Sequence, residues 1–398
     1  MEINKDIVNN LFLKLDLNKA LSQRIWVIKN KKNKSLIRNG YFNVLKLFLR
    51  TIFECIFYTP VIKSAKGNCS KIFYIRTYSR KDLDEHSKYF ENLKNTTTCI
   101  FAKKKFKFDP KLFLICIFVF FRSKETWKKV LFSNNIKYIS IDGLKLLLNL
   151  FKYFSDILKI FPYLFIHKKV VSFLEMSPVE NLICQIANIK KIETFGLEHA
   201  IGMYKEKGEY WERYSITHYQ NSICKNILCW GDQSKNIYKK HTSSKIYVIG
   251  KASLPKLEIL KQNGVTFIFQ DKICVSANNQ LLSFSNDIQK IGVPVSRWFK
   301  RQSHALIDTD RHRNGPLYNT VIGCSSNMLL ELGFLGCYVY VIEESVLTNI
   351  LPKNLVINNT ETLIRKFQNQ NTYPHEIWKK FIACTGNETL NRYSRIIT

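Results

Sequence analysis

At 398 residues the chain exceeds one ordinary core, so two domains of roughly 150–200 residues each are expected. Its 46% hydrophobic and 13% aromatic content excludes a disordered chain. Lys and Arg number 61 against 31 Asp and Glu, a formal charge of +30, and residues 1–170 hold 34 of the bases but only 12 of the acids. A field that lopsided implies an anionic partner: phospholipid head groups, a lipid-linked diphosphate or nucleic acid.

Eleven cysteines follow no pairing rhythm and form no CxxC, which fits a reduced compartment better than a disulfide scaffold. The start, Met-Glu-Ile-Asn-Lys-Asp, lacks the basic opening of a signal peptide. The longest apolar run, Leu112 to Phe121, has ten residues, whereas a bilayer span takes about 20. The expectation is a cytoplasmic chain that lies against the inner face of the plasma membrane without crossing it.

Strand and helix signals alternate from Lys71 onward at the spacing of βα units. Lys71–Arg76, Thr98–Ala102, Ile136–Ile141, Lys169–Glu175, Glu193–Glu198 and Asn226–Trp230 read as strands. Asp109-Pro110 reads as a helix start, and Ser177-Pro178-Val179-Glu180 as a capping box. A second series follows, with strands at Lys245–Ile249, Val265–Phe269, Val293–Phe299, Thr320–Gly323, Cys337–Ile342 and Leu355–Asn358. Ser276 is expected to cap one helix of this block, and another is expected from about Thr360. Two blocks of βα alternation predict an α/β fold with two open parallel sheets and helices on both faces. The boundaries expected are 1–68 for a basic amphipathic segment, 69–230 and 231–370 for the two domains, and 371–398 for a helix crossing back to the first domain.

Two segments carry narrow polar stripes. In Leu144–Phe161 the stripe is Lys145, Asn149, Lys152, Asp156 and Lys159; in Phe42–Tyr58 it is Asn43, Lys46, Arg50 and Glu54. Each is either a helix buried on most sides or an interfacial helix that dips Phe and Leu into lipid.

Three constellations could carry chemistry. Thr194–Ala200 ends a strand on Glu198-His199, where His199 could act as a base; Glu175, after the preceding strand, is a second candidate. Val321–Asn327 runs from a strand through Ser325 and Ser326 into a helix start, where backbone N–H groups and hydroxyls converge on a phosphate-sized site, unless Ser326 merely caps the helix. Asn327 belongs to this turn, and Glu331 follows inside the helix. Arg297 and Lys300 end a strand of the second block, as phosphate partners or as solvated surface. No cluster of His, Cys or acids has metal-binding spacing, and Asp308-Thr309-Asp310 sits among Arg311, His312 and Arg313 as a charged loop. No nucleic-acid recognition motif accompanies the bases, which flank apolar runs instead.

In their order along the chain, Glu198-His199, Ile227–Asp232, Tyr247–Lys251 and Ser325-Ser326-Asn327 with Glu331–Tyr340 resemble the GT-B glycosyltransferases that build bacterial capsule and lipopolysaccharide. The resemblance spans about Lys169 to Asn358. It implies two Rossmann-like parallel-sheet domains facing a cleft, and transfer of a sugar from a nucleotide-sugar donor held by the second domain to a lipid-linked or glycan acceptor on the first, with no metal ion and no further cofactor. Carried over, His199 matches the family's His, and Ser325 and Ser326 match its phosphate-facing hydroxyls. Glu198 stands where that pattern has Gln, Ala200 where it has Gly, and Lys251-Ala252-Ser253 where a Pro is common. Two alternatives stay open: a CDP-alditol phosphotransferase of the teichoic-acid polymerase type, and a CMP-sialic acid or CMP-Kdo transferase. Against the latter, no His-Pro pair is present.

Overall fold

The computed structural model describes residues 10–29, 40–63, 71–77, 89–90, 93, 96–173, 177–198, 219–254, 256–269, 275–299, 313–369 and 374–397. Helix α1 (Leu17–Lys29) buries Leu17, Leu21 and Ile25, the one-face spacing of an amphipathic helix. It docks on α6 (Pro178–Ile189) by a reciprocal pair: Asp16 N donates to Gln185 Oε1 at 2.7 Å, and Gln185 Nε2 to Asp16 O at 2.9 Å. The N-terminal stretch expected as a separate segment is therefore part of the first domain's core, because Leu11, Phe12 and Leu15 are buried in it.

Helix α2 (Gly40–Phe57) leads into β1 (Tyr58–Lys63), which pairs antiparallel with β3 (Thr96–Phe106). Strands β2 (Ile72–Arg76), β4 (Lys169–Ser172), β5 (Glu193–Leu197), β6 (Asn226–Cys229) and β7 (Lys245–Val248) complete a sheet ordered β1-β3-β2-β4-β5-β6-β7, parallel beyond β1. β1 was not foreseen. Pro60 lies in it beside a register shift, which an edge strand tolerates.

Asp109 caps α3 (Pro110–Arg122) as expected, its carboxylate accepting from Leu112 N at 3.0 Å with Pro110 at the first position. Helix α4 (Lys124–Ser133) follows. The strand expected at Ile136–Ile141 does not form. Asn135 takes a left-handed φ of 56°, and Ser140 caps α5 (Ile141–Leu164) by accepting from Gly143 N, so these residues turn into a helix. The sequence-based boundary at 230/231 is also corrected: β7, and α7 (Asp232–His241) before it, belong to the first domain, because β7 continues the parallel ladder from β6.

The second sheet contains β8 (Ile259–Phe269), β9 (Val295–Phe299), β10 (Arg313–Asn314), β11 (Leu317–Gly323), β12 (Tyr338–Ile342) and β13 (Val356–Ile357). Its order is β10-β9-β8-β11-β12-β13, parallel apart from the β10–β9 pair. Helices α8 (Val275–Lys290), α9 (Asn327–Phe334) and α10 (Thr360–Gln368) connect its strands. Ser276 does not cap α8, which begins at Val275; its hydroxyl donates to Glu344 at 2.9 Å. The fold is thus α/β, with two largely parallel sheets in two domains.

After α11 (His375–Lys379) the chain returns to the first domain as α12 (Asn387–Ile397). Trp378, Phe381 and Ile382 belong to the second domain's core, whereas Tyr393 and Ile397 pack with Tyr74, Val171, Phe195 and Leu228 of the first sheet.

Candidate functional site

In open parallel α/β sheets, ligands meet the loops that leave the carboxyl ends of the strands. The first such edge begins at β2 and β4. Glu180, fully buried at the start of α6, does not complete a capping box with Ser177. Its Oε1 accepts from Thr77 N at 2.7 Å and from the Thr77 hydroxyl, and its Oε2 accepts from Ser172 Oγ at 2.6 Å. One carboxylate thereby fixes the ends of two adjacent strands. Arg76 lies beside them with its guanidinium 5.5 Å from the centre of the Phe173 ring.

The ends of β5, β6 and β7 bring together Glu198, Trp230, Ser234 and Lys251. Glu198 is 3% exposed, and its Oε2 accepts from Trp230 N at 2.7 Å. Its Oε1 has no hydrogen-bond partner among the described residues, nor has the Ser234 hydroxyl. Burial pushes the Glu198 carboxyl up to about 7, against smaller downward pulls from the Trp230 amide and the nearby Ser234. A buried carboxyl that changes charge near neutral pH can hold or release a proton under physiological conditions.

Lys251 follows β7 and is 7% exposed. Its Nζ stands 4.8 Å from the centre of the Trp230 ring and 2.5 Å from Glu331 Oε1 on α9. A cation over an indole and against a carboxylate thus joins the edges of both sheets. The backbone reinforces the junction: Lys251 N donates to Cys384 O, Ala383 N to Trp230 O and Gln233 N to Lys380 O, each at 2.9 Å. Gly231 permits this approach, since a Cβ there would lie 2.4 Å from Lys380 O.

On the second sheet, β11 ends at Gly323, and Cys324-Ser325-Ser326 turns into α9. The Ser326 hydroxyl caps the helix, accepting from Met328 N at 3.3 Å. Ser325 Oγ lies 3.2 Å from Ser345 Oγ, and the Ser345 hydroxyl donates to Cys324 O. Both expected phosphate-facing serines are buried, at 8% and 3% exposure, with Asn327 half-buried beside them. The turn is held rigidly, with the positive end of the α9 dipole at its mouth. Glu331, one turn into the helix, faces the first domain through Lys251.

Arg297 is placed elsewhere. It lies on β9, two strands from β11, and its guanidinium donates to Ser285 Oγ, Asn286 Oδ1 and Gln289 Oε1 of α8 at 3.0, 2.9 and 3.1 Å. His199, Glu175, Lys300 and Asp308–Asp310 lie outside the described residues. Among the described residues no group of three or more His, Cys, Asp or Glu is arranged to hold a metal ion.

Sequence reasoning gave no role to Lys251 or Glu198, although both stood out as departures from the family pattern. Glu180 was read only as a capping residue.

No family model matches the sequence, and no curated protein matches it. Among solved structures the chain is similar to a protein described as a UDP-N-acetylglucosamine 2-epimerase from Listeria monocytogenes, at 9% identity and a TM-score of 0.45, over 81% of this chain and 94% of that one. It is also similar to the UDP-GlcNAc 2-epimerase from Neisseria meningitidis bound to UDP-GlcNAc, at 14% identity and a TM-score of 0.43, over 82% of this chain and 98% of that one. Likeness at this level assigns neither a reaction nor residues.

Proposed function

We propose that the protein is a glycosyltransferase that moves a sugar from a nucleotide-sugar donor to a lipid-linked or glycan acceptor. Its setting would be surface polysaccharide synthesis (capsule, O-antigen or lipooligosaccharide), as a peripheral protein on the inner face of the plasma membrane. One observation carries the reading. The carboxyl ends of two parallel sheets meet through the Lys251–Glu331 pair, with the N-terminus of α9 on one side and the buried Glu198 carboxyl on the other.

In this reading the donor's phosphates lie at the start of α9, against Ser325, Ser326 and Asn327, with Lys300 as a further cation and Glu331 lining the site. The acceptor hydroxyl attacks the anomeric carbon of the donor sugar, the bond from that carbon to the phosphate oxygen breaks, and the nucleotide leaves. The hydroxyl's proton passes to His199 or Glu175 on the first domain. Helix-terminal N–H groups and Lys300 stabilise the charge that develops on the leaving phosphate.

The test is a melting-temperature screen of the whole protein against CMP, CDP, UDP, GDP and dTDP, with and without chelator. One nucleotide at about 100 times its Kd stabilises the fold by about 2.7 kcal/mol. A clear rise with one nucleotide, unchanged by chelator, followed by consumption of its sugar conjugate in the presence of a membrane-extracted acceptor, is the expected result. No response to any nucleotide overturns the reading.

A further inference from the structure

Helices α2 and α3 touch each other and both pack on α5. On α2 the inward positions are Val44, Thr51 and Cys55, while Leu45, Leu49 and Phe53 are exposed along the opposite face at steps of four. On α3, Leu112, Ile115, Cys116 and Val119 are buried, and Leu114, Phe118 and Phe121 point outward at steps of four and three. Phe106 and Phe108, 67% and 60% exposed, join the two helices: both rings stack on Phe57, with centroids 5.7 and 5.4 Å away. Lys107 N donates to Phe57 O, and Asp109 N to Ile56 O, which fastens this segment to the end of α2.

The two striped helices have opposite fates. The stripe of α5 is turned inward, where Lys152 pairs with Asp156 at 2.8 Å and Lys159 Nζ donates to Glu54 O at 3.2 Å. With Glu54 directed to that seam, the apolar face of α2 is left outward. Monomeric proteins scatter exposed large apolar residues singly; this face collects them on three adjoining segments.

The rim decides what covers it. Lys46 of α2 and Lys111 of α3 are exposed beside the patch, and the Arg122 guanidinium lies 5.9 Å from the Phe118 ring. The two acids nearby are engaged: Glu54 with Lys104 at 2.5 Å, and Asp109 with Lys107 at 3.8 Å. A second copy of the chain seated here would bring two basic rims together, whereas an anionic bilayer complements both the rim and the apolar centre.

We propose that the outer face of α2, α3 and the Phe106–Phe108 segment is a membrane-docking surface for anionic phospholipid. The Phe and Leu side chains enter the acyl boundary and the lysines meet the lipid phosphates. No helix among the described residues is long and apolar enough to cross a membrane, and this mode of attachment needs none. The inference assigns a surface to the peripheral attachment proposed above and is independent of the sugar chemistry.

The experiment is flotation of the whole protein, without nucleotide, on vesicles of phosphatidylcholine alone or with 30% phosphatidylglycerol. Binding to the anionic vesicles should exceed binding to neutral ones at least tenfold and fall as salt rises. The variant Leu49→Ser/Phe118→Ser/Phe121→Ser should lose at least tenfold of that binding while keeping the wild-type melting temperature. A separate charge variant, Lys46→Glu/Lys111→Glu/Arg122→Glu, touches no core residue and should lose the preference for anionic vesicles. Wild-type protein that binds neither vesicle, or variants that float like wild type, overturn the proposal. So does light scattering that finds a wild-type dimer converted to monomer by the Ser variant with vesicle binding unaltered. The nucleotide screen on the same variants separates failure here from failure of the transferase reading.

Discussion

Lys251 Nζ lies 2.5 Å from Glu331 Oε1, so the loop leaving β7 of the first sheet is ion-paired to the helix that follows β11 of the second. The two side chains are 9% and 13% exposed, and the pair is therefore largely shielded from water. Its formation compensates the desolvation of each partner, and removing one leaves the other buried and uncompensated.

Lys251→Met should therefore destabilise the protein by about 3–5 kcal/mol, whereas Lys251→Met/Glu331→Leu should recover most of that loss. Denaturant unfolding of the single and double variants measures the coupling. A double variant no more stable than Lys251→Met would show that the amine acts mainly through the Trp230 ring and not through Glu331.

Glu198 gives the fold a pH dependence of defined sign. Its folded pKa of about 7 lies above the ordinary 4.5. Between those values the unfolded chain has released the proton while the folded protein still holds it, so stability falls as pH rises through this window and levels off above it. The loss is at most about 3 kcal/mol. Glu198→Gln keeps an acceptor for Trp230 N but cannot ionise. Its stability relative to wild type should rise from pH 4.5 to 7 and then stay constant. Parallel pH profiles for the two proteins would show that Glu198 does not titrate in this range.

Arg297 separates a structural role from a donor-binding one. With its guanidinium bonded to Ser285, Asn286 and Gln289, Arg297→Ala should cost about 1–2 kcal/mol by loosening α8 from β9. The melting-temperature response to nucleotide should be unchanged. A variant of wild-type stability that no longer responds to nucleotide would restore Arg297 as a phosphate partner.

These residues also mark how far the sequence could be read. The strands of both sheets were legible because short apolar runs between turn residues have few other uses, and Asp109-Pro110 announced α3 by local chemistry alone. Ile136–Ile141 has the same apolar look, but Ser140 captures Gly143 N, and one local hydrogen bond turned an expected strand into a helix start. Sheet membership is a tertiary property, so the βα pattern did not reveal that β7 completes the first sheet. The stripe of α5 was visible, but its direction depended on Glu54, which lies about a hundred residues earlier in the chain. Lys251 and Glu331 are separated by 80 positions, and Glu198 and Trp230 by 32, distances across which no spacing rule operates.

The last helix makes a final prediction possible. Tyr393 is 1% exposed, and its ring centre lies 5.3 Å from that of Tyr89 and 5.4 Å from that of Phe90. Beneath it are Tyr74, Val171, Phe195 and Leu228, so α12 covers one face of the first sheet. Polar ties hold it there, among them Lys169 Nζ donating to Ile397 O at 2.5 Å, an Arg392 guanidinium nitrogen donating to Val248 O at 3.2 Å and the Thr389 hydroxyl donating to Lys251 O at 3.3 Å. A chain that has finished the second domain thus returns to complete the core of the first. Tyr393→Ala should cost about 3–5 kcal/mol, the usual range for a buried aromatic, whereas Tyr393→Phe, which keeps the ring, should stay within about 1 kcal/mol. Hydrogen exchange locates the effect. In Tyr393→Ala the amides of β2, β4 and β5 should lose protection before those of β8 and β11. Equal loss in both sheets would mean that the domains unfold as one cooperative unit.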